Sequence, residues 1–174
     1  GLEGGLTLVF PERETVTFHA AAERYRARGE PAVILAGRDY GMGSSRDWAA
    51  KGPALLGVKA VIALSFERIH RSNLIGMGIL PLVPEDPSML ERLTGEETFT
   101  LSGIRDAVAG KGSVAVAVAA PDGARLEFAC RPAVHGAAER DLLLRGGIFP
   151  AVHAAALDRA TGQTPAREAM KAAR

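Results

Sequence analysis

Cysteine is almost missing from this chain, in which Cys130 is the only one. A single thiol excludes an internal disulfide, and it falls short of the three or four protein ligands that zinc and iron–sulfur sites ordinarily take. Aromatic residues are scarce too, at 5% against 47% apolar residues in total, so a core has to be assembled from Ala, Val, Leu and Ile. Neither sign of charge is in surplus: 21 Lys and Arg face 20 Asp and Glu, for a formal net charge of +1. No global field draws the chain to nucleic acid or to an anionic membrane, and any anion binding must be local. Also missing are an apolar run long enough to cross a bilayer and a basic-then-apolar opening of the secretory kind. A reduced, cytoplasmic setting and no membrane partner are the expectation.

What is present fits one globular domain of 174 residues with a core large enough to dispense with staples. Leu6 to Phe10 reads as a strand, and Thr15 to Arg28 carries apolar residues at helical spacing up to Gly29. Ala32 to Ala36 (AVILA) is a buried strand, followed by a glycine-rich stretch and a helix beginning near Ser45. Lys59 to Leu64, Phe66 to Gly76 and Ile79 to Val83 continue as strand, helix and strand. Thr98 to Ser102, Ser113 to Ala119 and Ala124 to Ala129 then read as strands, the last two forming a hairpin behind the α/β core. Ala137 to Leu157 favours helix, interrupted at Gly146, Gly147 and Pro150, and a polar, alanine-rich tail occupies 159–174. The fold class expected is layered α/β, with 1–158 as the domain proper. The chain opens on Gly1 within a strand approach, which suggests a fragment of a longer protein.

The chemistry concentrates in Gly41-Met42-Gly43-Ser44-Ser45-Arg46-Asp47. Two glycines free the backbone, and two hydroxyls and a guanidinium meet where a helix begins, an arrangement suited to a carboxylate or phosphate. It is not a P-loop, because no Gly-Lys-Ser/Thr ends it; nor is it a dinucleotide fingerprint, because Arg46 stands where the third glycine belongs. A plainer alternative stays open on spacing alone: Ser44 and Asp47 as a capping-box variant, Ser-x-x-Asp, with Arg46 solvated.

From Tyr40 through Gly52, then Leu55-Leu56-Gly57-Val58-Lys59-Ala60-Val61-Ile62, Ser65-Phe66-Glu67-Arg68-Ile69-His70-Arg71-Ser72-Asn73-Leu74 and Gly76-Met77-Gly78-Ile79-Leu80-Pro81-Leu82, the sequence resembles the aconitase C-terminal swivelling domain. Weaker matches at 93–97 and 146–148 carry the resemblance over roughly residues 4 to 157. It implies a layered β/β/α domain contributing to a hydro-lyase that interconverts citrate and isocitrate through cis-aconitate in the tricarboxylic acid cycle. In that family the first serine of Gly-Ser-Ser-Arg is the base, the second touches substrate, and the arginine grips a carboxylate. The corresponding positions are Ser44, Ser45 and Arg46. The resemblance also implies a [4Fe–4S] cluster held by other domains, and no turnover by this chain alone. Related alternatives are a 2-methylcitrate dehydratase using the same residues and an RNA-binding aconitase regulator. An isopropylmalate isomerase small subunit fits less well, since Asp47-Trp48 replaces the usual Glu-His after Ser-Ser-Arg.

Other residues read as structural. His70 lacks a partner carboxylate and reads as packing; His19, His135 and His153 show no metal spacing. Arg68, Arg71 and Asn73 read as a solvated helix face or an interdomain contact, with RNA phosphates as the sharper alternative. Cys130 reads as a buried, inert thiol and Trp48 as packing beside the loop.

Overall fold

The structure, a computed structural model, describes residues 4–44 and 46–161. It opens with an antiparallel hairpin of β1 (Leu6–Val9) and β2 (Glu14–Thr17), Leu6 lying opposite Thr17 and Val9 opposite Glu14. The helix expected from Thr15 therefore starts later. Thr15, Val16 and Thr17 pair with β1, a preference of β-branched residues that shows only when the partner strand is present. Helix α1 (Phe18–Arg28) is capped by the Thr17 hydroxyl, which accepts from the Ala20 amide at 3.1 Å, and Gly29 stops it in the left-handed region.

Two parallel crossovers follow: β3 (Ala32–Ala36), α2 (Trp48–Leu55), β4 (Val58–Ala63), α3 (Arg68–Gly76) and β5 (Leu80–Pro84). Strands β6 (Thr98–Ser102), β7 (Val114–Ala119) and β8 (Arg125–Pro132) do not form a separate layer behind this core. They extend the same curled sheet antiparallel, in the order β3-β4-β5-β8-β7-β6, with Leu82 opposite Pro132 and Pro84 opposite Cys130 at the junction.

The two halves of the sheet differ in burial, and the sequence pattern follows. On β4, Ala60 and Ile62 enter one core cluster with Leu82, Val114, Val116 and Cys130, while Val61 and Ala63 enter another with Ala50, Leu74 and Ile79. A parallel strand covered on both faces reads as an unbroken apolar run. On β7, by contrast, Val114, Val116 and Val118 are buried and Ala115, Ala117 and Ala119 exposed, the alternation of a one-sided strand. Helices α2 and α3 cover the second cluster; α4 (Ile104–Val108) and α5 (Gly136–Leu144) supply Ala107, Val108 and Leu143 to the first.

The last helix among the described residues, α6 (Ile148–Thr161), continues through residue 159. Pro150 does not interrupt it, because it sits in the first turn, where a missing amide donor costs nothing. The break falls at Gly146 and Gly147. A Cβ on Gly147 would lie 2.5 Å from the Gly76 carbonyl oxygen, and one on Gly78 would lie 2.3 Å from the Gly146 carbonyl oxygen. Backbone thus packs on backbone where α6 meets the end of α3. Among the described residues no helix is long and apolar enough to cross a membrane.

Candidate functional site

The glycine segment leaves the C-terminal end of β3, the end at which α/β sheets of this kind present ligand-binding loops. Its first residues are tied to the chain beyond β4. The Asp39 amide donates to Ser65 Oγ at 2.7 Å, Ser65 Oγ donates to Asp39 Oδ1 at 3.0 Å, and the Tyr40 amide donates to the Ser65 carbonyl at 3.0 Å. The Glu67 amide donates back to the Tyr40 carbonyl at 2.9 Å, completing a parallel bridge between Tyr40 and Phe66. Two tight turns then carry the chain outward: Met42 N–H donates to the Asp39 carbonyl and Ser44 N–H to the Gly41 carbonyl, each at 3.1 Å.

Ser44 and Arg46 both lie exposed at the rim of this loop. The Arg46 amide points at Ser44 Oγ across a long 3.4 Å contact. Among the described residues no carboxylate pairs with the Arg46 guanidinium. Ser45 lies outside the described residues.

The helix expected near Ser45 begins at Trp48, and the capping box does not form. Asp47 is the cap, already helical at φ −59° and ψ −28°, and its side chain accepts no capping bond. An N-cap side chain reaches the following amides from an extended backbone, which Asp47 lacks. The Ser44 hydroxyl is therefore not used to cap α2. Trp48 does not pack against the protein as expected: it is 63% exposed, with Lys51 Nζ 4.4 Å above its ring and 5.8 Å from that of Phe149. The Lys51 ammonium thus lies over both the indole and the phenyl ring.

Beneath the loop lies His70. Gly41 has φ +97°, and a Cβ there would sit 2.2 Å from His70 Cγ. Only glycine meets both demands. The imidazole is 2% exposed, meets the Tyr40 ring edge-on at 5.1 Å, and has no hydrogen-bond partner on either nitrogen among the described residues. Burial holds its pKa below the ordinary histidine value, and the Glu67 carboxylate opposes that only in part. Glu67 caps α3 by accepting from the His70 backbone amide at 2.8 Å. Its own pKa is lowered, chiefly by that bond.

Arg71 corrects the reading of a solvated basic face. It is 7% exposed and forks onto Glu139 of α5, Nη1 to Oε2 at 2.7 Å and Nη2 to Oε1 at 2.8 Å, with Nη1 also reaching the Ala133 carbonyl at 2.9 Å. Arg68 is exposed. Nothing in the local sequence distinguishes the two; the distinction comes from Glu139, far along the chain.

An iron–sulfur cluster does not fit this chain. Its one thiol, Cys130, is fully buried in the sheet core, and burial pushes its pKa up to about 12, the reverse of a thiolate ligand. Among the described residues no three His, Cys, Asp or Glu side chains gather as a metal site. A cavity of about 490 Å³ lined by Tyr25, Arg26, Pro31, Leu56, Gly57 and Lys59 lies at the N-terminal ends of β3 and β4, away from the loop.

Fold and loop together define a class: a mixed-sheet α/β domain presenting a serine and an exposed arginine, unpaired among the described residues, from the C-terminal end of a parallel strand. The same fold occurs in the crystal structure of a 3-isopropylmalate dehydratase from Methanocaldococcus jannaschii, at a TM-score of 0.51 and 21% identity, covering 88% of this chain and 87% of that one. Residues 3–87 match the model of the aconitase C-terminal domain. Aconitate hydratase A of Escherichia coli is 46% identical over 86% of this chain, and its Deinococcus radiodurans counterpart 44% identical over 95%. Phosphinomethylmalate isomerase of Streptomyces viridochromogenes is 50% identical over 86%. The chain belongs to the aconitase family, as its C-terminal domain. It spans only 17–18% of the length of these three relatives.

Proposed function

We propose that this domain supplies the proton-abstracting base and a carboxylate clamp to a hydro-lyase that interconverts citrate and isocitrate through cis-aconitate. The observation that carries the reading is at the loop rim: the exposed Ser44 hydroxyl faces the Arg46 amide across 3.4 Å, and among the described residues no protein carboxylate pairs with the exposed Arg46 guanidinium. Arg46 then binds a substrate carboxylate through its planar fork. Ser44, as the alkoxide, takes the proton from the carbon next to a carboxylate and becomes the neutral hydroxyl; the C–H electron pair becomes the carbon–carbon double bond as the hydroxyl on the neighbouring carbon leaves with its bonding pair and takes up a proton from an acid outside this chain, departing as water. The Arg46 amide and guanidinium lower the cost of negative charge on Ser44 Oγ. Ser45 is assigned a substrate contact on the family resemblance. A [4Fe–4S] cluster, which supplies Lewis-acid chemistry at the departing hydroxyl in this family, belongs to domains outside this chain, and we assign those domains as its partners.

A second reading is favoured by the 50% identity to phosphinomethylmalate isomerase: the same base and clamp acting on a different polyacid. 2-Methylcitrate belongs with it. The RNA-binding reading finds less support, because Arg71 is held by Glu139.

The test is reconstitution. Adding this chain to cluster-loaded aconitate hydratase lacking its own C-terminal domain should restore conversion of citrate to cis-aconitate. Turnover by this chain alone, without iron, overturns the assignment.

A further inference from the structure

The loop that bears Ser44 lies on His70, the one buried polar side chain among the described residues whose hydrogen-bonding groups are unused. In the neutral form, which burial favours, His70 carries one N–H donor and one lone pair. Burying such groups without partners is costly, and a native protein that does so ordinarily has a use for them. Packing alone would be served as well by an apolar ring, since the Tyr40 edge and the Gly41 backbone are shape contacts. Three neighbours bound the choice. Tyr40 meets the imidazole through its ring, and Glu67 uses its carboxylate on the backbone amides of α3. The third is the Gly41 turn itself, which presses directly on the ring carbons. That turn carries backbone donors and acceptors and, at its far end, the Ser44 hydroxyl.

We infer that His70 is a positioning residue: when a carboxylate ligand settles on the loop, the loop closes onto the imidazole and supplies the hydrogen bond that its ring nitrogens lack. The ring thereby fixes the height of Gly41, and through the Gly41–Ser44 turn the placement of Ser44 Oγ. This rests on the carboxylate-binding reading proposed above. It adds a residue of α3, outside the Gly-Ser-Ser-Arg segment, to those that set the geometry of the base. His70 touches neither substrate nor reacting atoms. Its effect passes through the backbone.

The experiment is a citrate titration of the full 174-residue chain, labelled with 15N and followed both at the amides of Gly41, Gly43, Ser44 and Arg46 and at the ring nitrogens of His70. The expected result is that citrate shifts the loop amides and, in step, moves a His70 ring nitrogen to a hydrogen-bonded position. His70→Phe, which keeps a flat ring, should bind citrate about three- to tenfold more weakly, the loss of one hydrogen bond. His70→Gln, which keeps a donor and an acceptor, should recover most of that loss. If the loop amides shift while the ring nitrogens stay still, or His70→Phe binds citrate as the parent chain does, the inference is overturned and the carboxylate reading stands. If citrate shifts no loop amide of the parent chain, both are overturned. Should His70→Phe fail to fold, the ring-nitrogen signal and His70→Gln still decide.

Discussion

Arg71 and Glu139 join α3 to α5 through a bidentate ion pair in which the arginine side chain is 9% exposed and the glutamate side chain 25%. Glu139 also accepts from the His135 amide at 2.7 Å, so one carboxylate fixes both the arginine and the start of its own helix. Breaking such a pair strands a charge in the interior, which costs about 3–5 kcal/mol. Glu139→Ala should therefore lower the unfolding free energy by an amount near the bottom of that range, since its own side is partly wet. Combining Arg71→Met with Glu139→Leu should be milder than the single change, because no charge is left unpaired. Denaturant melts of the two variants and the parent chain check the order.

Acid should destabilise the fold in two steps with different owners. Burial lowers the His70 pKa in the folded state, so below its ordinary value of 6.5 the unfolded chain takes up a proton that the fold refuses, and stability declines from there. The Arg71 guanidinium bonded to Glu139 holds that carboxyl below its ordinary 4.5; its contribution is complete above that value and is lost as pH falls through the lower, folded one. Thermal midpoints measured across this range should show the upper step vanish in His70→Phe and the lower one shrink in Glu139→Gln.

Gly41 and Gly43 should respond very differently to alanine. At Gly41 the added carbon meets the imidazole and the backbone sits at φ +97°, whereas Gly43 has open space around it. The left-handed strain alone is worth about 1–3 kcal/mol. Gly41→Ala should be destabilised and lose citrate binding, while Gly43→Ala should fold with near-parental stability. Equal midpoints for the two would refute the close contact with His70.

In a reconstituted, cluster-loaded enzyme, Ser44→Ala should lower kcat by about 10²-fold or more while KM changes little, as expected for loss of a general base. Arg46→Lys keeps the charge and loses the fork, so KM should rise, with some loss in kcat from misplacement of the reacting carbon. Near-parental turnover in Ser44→Ala removes it as the base.

Cys130 offers a reporter. Its thiol is fully buried and its pKa raised to about 12, so a thiol reagent at mildly alkaline pH should modify the folded chain only as fast as it opens. Rapid modification without denaturant would contradict its place in the core.

Where a residue's environment is made by its own neighbours in the chain, the sequence was readable. AVILA at 32–36 and Thr98–Ser102 are strands over those same limits, and the break at Gly146-Gly147 falls where the glycines stand. What remained hidden depends on distant partners. Thr15 to Thr17 became a strand because of β1, and the last three strands joined the main sheet because β8 found β5. Arg71 was misread because Glu139 lies far away in sequence, and the meaning of Gly41 was concealed because the side chain that forbids any other residue there belongs to α3. The site motif was legible by resemblance. Its support from below was not.

The bridge between Tyr40 and Phe66 makes the loop an indicator of assembly. The β3–β4 ladder ends at Ala36 opposite Ala63, and this bridge resumes the contact beyond a gap. A newly made chain cannot give Ser44 its position until β4 has docked in register and α3 has begun, since Ser65 and Glu67 hold the loop's near end. A slip of one residue in β4 would exchange the residues that its two faces offer to the two core clusters and carry those anchors away with it. If Ser44 is the base proposed above, misassembled copies would present no base at all, rather than a misplaced one.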